Sequence, residues 1–253
     1  MGELGRPETG LTTGSAAGSA SGLAVGLAPV GRETVQDRVY SELRRALVGG
    51  LFAPGQVLTI RQLSDALLTS TMPVREALGR LITEGAVETL PSRQFRIPPI
   101  TLARLADLLR VRILIEGEAI ALATERMDDA RLARLDKIMD DWEKERLQPS
   151  AEAVNREVLL NQSFHFEIYA GCGSDVLIPM IESLWLQSGP CTRAAIFAFT
   201  EAGERDSARY HHAILKALRA RDPAAARAAL VDDISRPFAF LRSKFEKEEG
   251  QRP

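Results

Sequence analysis

Cysteine is scarce in this sequence of 253 residues, and long apolar runs and a large excess of either charge are missing. The two cysteines, Cys172 and Cys191, are too few and too irregularly placed for a disulfide framework or a cysteine metal site. A cytoplasmic, reducing location is therefore expected. No run of about 18 apolar residues is present, so we expect no membrane partner.

The ends of the sequence also lack the features of targeting segments. Residues 1–30 are rich in Gly, Ala, Ser, Thr and Leu, and they have neither the basic start nor the continuous apolar core of a signal peptide. We predict a disordered tail at residues 1–30 and another at residues 248–253. The hydrophobic content of 45% is sufficient for two small domains between them, which we place at residues 31–100 and 101–247.

The stretch from Leu58 to Ile97 has the pattern of a winged helix-turn-helix. Apolar residues at helical spacing are followed by a break and by a second helix, for which Ser70 or Thr71 is a suitable N-cap. That helix ends before Gly85, which can adopt the left-handed C-cap conformation. Alternating residues then predict a hairpin, the wing, with strands at residues 86–90 and 95–97.

The N-terminal end of the second helix faces base edges in such folds. This placement makes its polar, outward-facing residues candidates for DNA contact. The candidates are Ser70, Thr71, Met72 and Arg75, with Arg93 at the wing tip.

The charge of this region is only mildly positive. From Arg32 to Ile97 there are nine Arg and seven Asp plus Glu, and nine minus seven gives about +2, against −2 for the whole chain. A protein that binds DNA without regard to sequence would be far more basic. Sequence-specific binding by a dimer needs less charge, because two modest patches add along the duplex.

Residues 35–98 resemble the DNA-binding domain of the GntR family of bacterial transcription regulators. The matching residues are Tyr40, Leu43, Pro54, Gly55, Leu58, Leu63, the run Pro73-Val74-Arg75-Glu76-Ala77-Leu78, Leu81, Glu84 and Gly85. The resemblance implies binding to a double-stranded DNA operator.

The same resemblance implies which residues meet that operator. Arg61 and Arg75 match arginines that family members use, but Thr71 replaces a third arginine, Met72 replaces a threonine, and Gln94 replaces the wing glycine. Arginine can bind guanine with two hydrogen bonds, whereas Thr71 and Met72 cannot. We therefore expect an operator that differs from the common family sequence.

After Pro98 and Pro99 the composition becomes almost wholly helical. The predicted helices span residues 101–126, 129–146, 151–171, 174–189, 203–221 and 223–247, with residues 190–202 unassigned. The expected fold class is mainly α, with an N-terminal winged helix-turn-helix followed by an all-α antiparallel bundle of six to seven helices. Bundles place ligand sites between facing helices.

Four polar residues in this part lie on apolar helix faces: Asn161, His165, His211 and Asp233. Burying such groups costs a few kcal/mol unless they find partners. They could meet around one divalent metal ion such as zinc, nickel or manganese. Each alone is also consistent with a hydrogen-bonded core residue. His212, which shares a face with Lys216 and Arg219, is predicted to be a surface histidine.

Residues 101–243 resemble the ligand-binding domain of the FadR-type branch of the GntR family, the FCD domain. The resemblance depends on Arg112 with Glu116, on residues 161–165, on His211 and on Asp222. Metal-binding members have an aspartate four residues before the first histidine and two further histidines. Here Asn161 and Asp233 depart from that pattern, so they could compensate for each other or form a hydrogen-bond network without metal.

Arg112 lies on an apolar face, where two roles are open. It could form a salt bridge with Glu116 one turn later, or clamp the carboxylate of a small organic acid effector. The predicted effector-binding residues are Arg112, Asn161, His165 and His211. Tyr169, Trp185 and Arg193 could line the same cavity, although aromatic residues at helical spacing are usually core.

Together these features predict a homodimeric transcription regulator, not an enzyme. The resemblance implies a repressor whose operator binding is modulated by a small carboxylate. One alternative is a helical-bundle metalloenzyme that uses His165, His211 and Asp233, which the DNA-binding pattern and the lack of a nearby general base disfavour. Another is a DNA-binding dimer that works without an effector.

Overall fold

A computed structural model of the chain describes residues 34–91, 94–146, 151–201 and 208–250. It confirms the mainly helical fold class. The tail predicted at residues 1–30 lies outside the described residues. The tail predicted at residues 248–253 is wrong for its first three residues, because the last helix continues to Gly250. Lys and Glu are good helix formers and extend a helix that packing has already established.

The N-terminal region contains three helices and a small antiparallel sheet. The helices are α1 (Val35–Val48), α2 (Ile60–Ala66) and α3 (Thr71–Thr83), and the strands are β1 (Val57–Leu58), β2 (Glu88–Thr89) and β3 (Phe95–Arg96). β3 is the central strand, and Arg96 lies opposite both Val57 and Glu88. The predicted wing hairpin is confirmed, with strands shorter than the alternating pattern.

Local sequence determines where these helices begin and end. Thr34 and Thr59 each form a capping box, the first with Asp37 and the second with Gln62, which satisfies backbone N–H groups at the helix starts. Gly85 follows α3 with φ of +69°, the left-handed conformation predicted for it.

α1 packs against α3 to form the core of this region. Its fully buried apolar residues include Leu47, Val74, Leu78 and Leu81. Burying one such side chain stabilises the fold by about 1.5–3 kcal/mol, so this apolar stripe is sufficient to hold α3 in place.

The described residues after the linker form a bundle of six helices. They are α4 (Leu102–Glu125), α5 (Asp129–Arg146), α6 (Ala151–Tyr169), α7 (Leu177–Glu201), α8 (Ala208–Arg219) and α9 (Pro223–Gly250). α4 packs along α9, α5 along α6, and α8 along α9. The interior is apolar, with Ile120, Leu135, Phe164, Ile168, Leu186, Ile214, Leu218 and Leu230 fully buried. None of the described helices combines the length and apolar character needed to span a bilayer.

α7 differs most from the predicted helices, because it continues through Pro190 to Glu201. A proline inside a helix lacks the N–H that would bond to residue 186, which usually costs about 3 kcal/mol or more. The helix is retained because apolar side chains on both sides of Pro190 are buried: Leu186, Cys191, Ala195 and Phe199.

Candidate DNA-binding surface and buried ligand site

The N-terminal end of α3 presents exposed side chains away from the core. Thr71, Met72 and Arg75 are exposed, whereas Pro73 and Val74 between them are buried. The buried pair anchors the helix, and the exposed residues occupy the end that meets base edges in helix-turn-helix proteins.

Two arginines next to this surface are uncommitted. Neither Arg61 of α2 nor Arg75 forms an ion pair within the described ranges, and both are exposed. Ser70 is the N-cap of α3 but makes no side-chain capping bond, so its hydroxyl is available to a phosphate. By contrast, the guanidinium carbon of Arg80 lies 3.5 Å from the ring centroid of Tyr40, which gives Arg80 a structural role.

The wing contributes less than the helices in the described part of the chain. Gln94 is exposed, and its carbonyl accepts a hydrogen bond of 2.8 Å from the Leu90 N–H. Arg96 is paired with Glu88 on the neighbouring strand at 2.5 Å. Arg93, the predicted wing-tip contact, lies outside the described residues. The uncommitted charge of this surface therefore comes from α2 and α3.

Three of the polar residues predicted on apolar faces meet inside the bundle. His165 of α6, His211 of α8 and Asp233 of α9 each place one ligand atom within 4.8 Å of the others. Nε2 of His165 lies 3.1 Å from Oδ2 of Asp233, and Nε2 of His211 lies 3.4 Å from Oδ1. The histidine side chains are 2% and 1% exposed, and that of Asp233 is 14% exposed.

The surroundings of this cluster favour the ionised form of its carboxylate. Burial alone would raise the pKa of Asp233, but the charges and hydrogen bonding of His211, His165 and Arg112 together hold that pKa below its usual value. Two imidazoles and one carboxylate form a donor set for a divalent cation.

Aromatic side chains enclose the two imidazoles. The ring centroid of Trp142 lies 4.0 Å from that of His211, and Phe164 stacks on His211 at 4.5 Å. On the other side, Trp185 lies 5.4 Å from His165. Nε1 of Trp142 is buried and has no hydrogen-bond acceptor among the described residues. Leaving such a donor unpaired costs about 1–3 kcal/mol, so a bound ligand is a physical reason for its presence here.

A second polar cluster, the Glu116 network, lies beside the first. Arg112 donates to both oxygens of Glu116, at 2.5 and 3.1 Å, which confirms the predicted salt bridge. The Tyr169 hydroxyl and the Trp185 Nε1 both donate to Oε2 of Glu116, at 2.6 and 3.0 Å. Arg112 also donates to the hydroxyl of Ser188 at 3.4 Å. Glu116 is completely buried, yet its charge is matched and its oxygens receive four hydrogen bonds.

The Glu116 network determines the tautomer of His165. Tyr169 has one proton, which it donates to Glu116, and burial together with the Glu116 charge raises the pKa of Tyr169 well above its usual value. The Tyr169 oxygen lies 3.3 Å from Nδ1 of His165 and can therefore only accept from it. Nδ1 carries a hydrogen, so in the neutral form of the ring Nε2 has the lone pair and directs it towards Asp233.

A lone pair and a carboxylate 3.1 Å apart need a proton or a metal ion to hold them together. An imidazole whose second nitrogen is fixed by a hydrogen bond is the usual arrangement of a metal-binding histidine. The geometry therefore fits both a protonated His165 and a metal site.

The other predicted residues have different surroundings. Asn161 is half-buried in α6, one helical turn before His165. His212 is exposed and pairs with a glutamate of α5 at 2.8 Å, which confirms its surface position. The prediction that Arg193 lines the cavity is wrong, because its Nη1 donates to the carbonyl of Gly49 in the N-terminal region at 3.1 Å. Its place on α7 beyond Pro190 turns it towards α1.

Sequence reasoning missed Trp142 beside His211. It lies in α5, which is rich in charged residues and has little overall amphipathic signal. The available signal was the spacing of Leu135, Met139 and Trp142, a narrow apolar line at helical intervals in which all three side chains are buried.

The exposed N-terminal end of α3, the turn before it and the paired strands of the wing define a DNA-binding protein of the winged helix-turn-helix class. Comparison with known families agrees. The family of bacterial regulatory proteins called gntR matches residues 35–97, and the FCD domain matches residues 107–236.

Relatives and solved structures match more than half of the chain. The HTH-type transcriptional regulator McbR of Escherichia coli (strain K12) is 30% identical over 212 residues, which cover 83% of this chain and 94% of McbR. The HTH-type transcriptional repressor GlaR of the same organism is 28% identical over 153 residues, 58% of this chain and 67% of GlaR. The solved structure of E. coli McbR/YncC has a TM-score of 0.77 at 28% identity and covers 85% of this chain and 100% of that one. A GntR structure from Rhodococcus sp. RHA1, with a TM-score of 0.66 and 21% identity, covers 81% of this chain and 96% of its own and shares the fold.

The chain belongs to the GntR family of bacterial transcription regulators and carries an FCD domain. The relatives named above are transcription regulators, which supports the regulator and not the metalloenzyme alternative. The FCD match includes every residue of the histidine cluster and of the Glu116 network.

Proposed function

We propose that this protein is a homodimeric, sequence-specific repressor that releases its operator when a small organic acid enters the bundle, with one divalent metal ion held beside it. The observation that carries the proposal is the meeting of His165, His211 and Asp233 inside a domain joined to a winged helix.

The DNA-binding part of the proposal depends on α3 and its flanks. In a dimer, two copies of α3 would enter successive major grooves about 34–36 Å apart. Arg61 and Arg75 are uncommitted and would contact phosphate or guanine. Thr71 would add a short polar contact and Met72 an apolar one, which supports an operator unlike the common family sequence.

The metal part depends on the fit of the donor set to zinc, nickel or manganese. His165 and His211 would supply nitrogen and Asp233 oxygen, and the tautomer of His165 directs Nε2 at the shared position. Asn161, one turn before His165, would add a neutral amide oxygen. The ion would act as a Lewis acid that anchors a carboxylate.

The effector part depends on charge. A divalent ion and the Asp233 carboxylate together carry a net charge of about +1, which favours an anionic ligand. The unpaired N–H of Trp142 beside His211 would donate to an oxygen of that ligand.

Arg112 supports the site indirectly in this proposal. Its charge is already matched by Glu116, and giving up that pair for an effector would leave a buried carboxylate unpaired, which costs several kcal/mol. We therefore assign the first contacts with the acid to the metal, the histidines and Trp142.

Metal analysis and DNA binding test the proposal together. We expect the purified chain to bind about one metal ion and the His211→Ala variant to bind none. We also expect retardation of the DNA upstream of its own gene in a gel-shift titration, weakened by one member of a panel of small mono-, di- and tricarboxylic acids. DNA binding without metal and without any response to acids would replace this proposal with the effector-independent dimer. No preference for that DNA over random DNA would overturn the regulator itself.

Arg75→Ala tests the DNA surface. We expect weaker DNA binding. The slope of log affinity against log salt concentration should also fall by about one, because one phosphate or base contact is lost. Arg134→Ala is the matched control. Arg134 is exposed on α5, and its partner Glu167 keeps a second arginine, Arg131, at 2.9 Å. Equal losses in both variants would contradict the assignment of α3.

A further inference from the structure

α7 contacts both the buried site and the DNA-binding region. Its Trp185 and Ser188 hydrogen-bond to the Glu116 network. Two later residues of α7, Gly189 and Arg193, contact the end of α1. We propose that Gly189 and Arg193 are positioning residues that hold the DNA-binding region against α7, so that a change at the buried site alters the placement of α1 and α3. This inference rests on the proposed function, since it names the route of its regulation.

Gly189 allows the backbones of α7 and α1 to touch. A Cβ at this position would lie 2.9 Å from Cα of Val48 and 3.0 Å from its carbonyl oxygen, and closer still to the carbonyl oxygen of Leu47. These are backbone atoms, which cannot turn aside as the end of a side chain can. Glycine is a poor residue for a helix interior. The contact with α1, and not the helix itself, is therefore the physical reason for glycine here.

Arg193 completes the contact one helical turn later. It donates to the Gly49 carbonyl at 3.1 Å and to Oδ1 of Asn155 in α6 at 2.5 Å. Gly50 follows with φ of +64°, and a Cβ there would lie 2.9 Å from Cγ of Arg193 and closer to its Cβ. The end of α1 thus accommodates the arginine only because residue 50 lacks a side chain.

The end of the recognition helix is also held against α7. Gln187 packs over Gly85, and Arg104 donates to the Gly85 carbonyl at 3.2 Å and to Oε1 of Gln187 at 3.3 Å. Nearer the start of α7, Glu182 pairs with Arg44 of α1 at 3.2 Å. Both α1 and α3 are therefore attached to α7, and the two helices would move with it.

Pro190 lies between Ser188, which contacts the Glu116 network, and Arg193, which contacts the end of α1. It removes one backbone hydrogen bond from α7, and prolines are common points of helix bending. A change of angle here would displace Arg193 relative to Ser188. In a dimer, a small rotation changes the spacing of the two recognition helices, to which operator affinity is sensitive.

Gly189→Ala in the full-length protein tests the positioning role by hydrogen exchange. The reporters are the N–H groups of Gly49, Gly50 and Leu51, which bond to carbonyls of α1. We expect their exchange to become roughly ten- to hundredfold faster, because overpacking shifts the equilibrium of local opening by about that factor. We also expect the variant to bind the upstream DNA more weakly. Amides in the core of the bundle should keep their wild-type rates.

Gly117→Ala is the matched control, because it is the same change in another bundle helix. The three atoms nearest to a Cβ at 117 all belong to the side chain of Arg227, with Nε at 3.1 Å, and that side chain can move. This variant should exchange as the wild type does. If Gly189→Ala does not fold, Arg193→Ala tests the same contact, and Arg193→Lys should restore part of the protection. Wild-type exchange at residues 49–51 in both Gly189→Ala and Arg193→Ala would overturn the inference.

Added Zn²⁺ tests the coupling itself. We expect it to change exchange at residues 49–51 in the wild type but not in Ser188→Ala, which has lost the hydroxyl that meets Arg112. Zinc that binds without changing this exchange would overturn the coupling. A wild type that binds no metal and responds to no acid would overturn the proposed function, yet faster exchange in Gly189→Ala would still support the positioning role, so the two failures are distinguishable.

Discussion

Glu116 and Asp233 are acidic residues of neighbouring sites in one bundle, and their surroundings differ in kind. Glu116 is completely buried, receives four hydrogen bonds and is paired with a guanidinium. Asp233 remains 14% exposed and faces two imidazoles. A buried carboxylate is structural when the protein supplies its counter-charge. When the protein supplies imidazoles, whose nitrogens can also bind a metal ion, the carboxylate has capacity left for a cation.

Breaking the Glu116 network, whose charges are matched within the protein, has the largest expected effect on stability. Arg112→Ala leaves Glu116 buried without a counter-charge, so we expect the free energy of unfolding, measured by urea denaturation, to fall by about 3–5 kcal/mol. The double variant Arg112→Met with Glu116→Leu removes both charges and should recover part of that loss. An equal loss in single and double variants would contradict the interpretation of a charge-matched network.

Removing a ligand from the histidine cluster should lower metal affinity more than it lowers the free energy of unfolding. For His211→Ala we expect a fall in zinc affinity of more than about 100-fold, measured by competition with a chelator. About 100-fold is the largest loss usual for removing a residue that only hydrogen-bonds to a metal ligand, and His211 is proposed to be a ligand itself. His212→Ala is the matched control, because His212 is the adjacent histidine and is exposed. Comparable affinity losses in the two variants would show that the cluster is not the metal site.

Tyr169→Phe breaks the link between the two acidic sites. Without the hydroxyl, Nδ1 of His165 loses its acceptor and Glu116 loses one donor. We expect zinc affinity to fall by about 10–100-fold, the range for loss of an outer partner of a metal-binding histidine. Unchanged affinity in this variant would mean that Tyr169 does not set the tautomer of His165.

The smallest expected effect is the pH dependence of stability that comes from a buried thiol of α7. Cys191 is 6% exposed, and burial raises its pKa from 9.0 to about 11. The folded form thus favours the protonated thiol, and the stability that this provides is present below pH 9.0 and is lost as the pH rises towards about 11. At pH 8 we expect iodoacetamide, followed by mass spectrometry, to label Cys191 only after unfolding. Rapid labelling of the folded chain would contradict this.

The candidate site was only partly predictable. His165, His211 and Asp233 each interrupt an apolar helical face, so the cost of burying a polar group identified them in advance. Asn161 satisfied the same criterion and stays a prediction as a ligand. Trp142 was missed because one aromatic residue in a charged helix gives a weak periodic signal.

The domains also differ in what local sequence could establish. In the winged helix, capping boxes, the glycine after α3 and the apolar stripe act within a few residues of one another, so the fold follows from neighbouring residues. In the bundle, helix positions followed from periodicity, but the continuation of α7 through Pro190 depended on burial against other helices.

Short-range pattern was thus enough to predict the family, the two domains and three of the polar residues at the centre of the bundle. Tertiary packing alone assigned Arg112 to Glu116, connected Tyr169 to His165 and directed Arg193 towards α1. The physical reason is that a hydrogen bond between distant segments, and the desolvation that makes it strong, depend on which helices surround a residue and not on its neighbours in the chain.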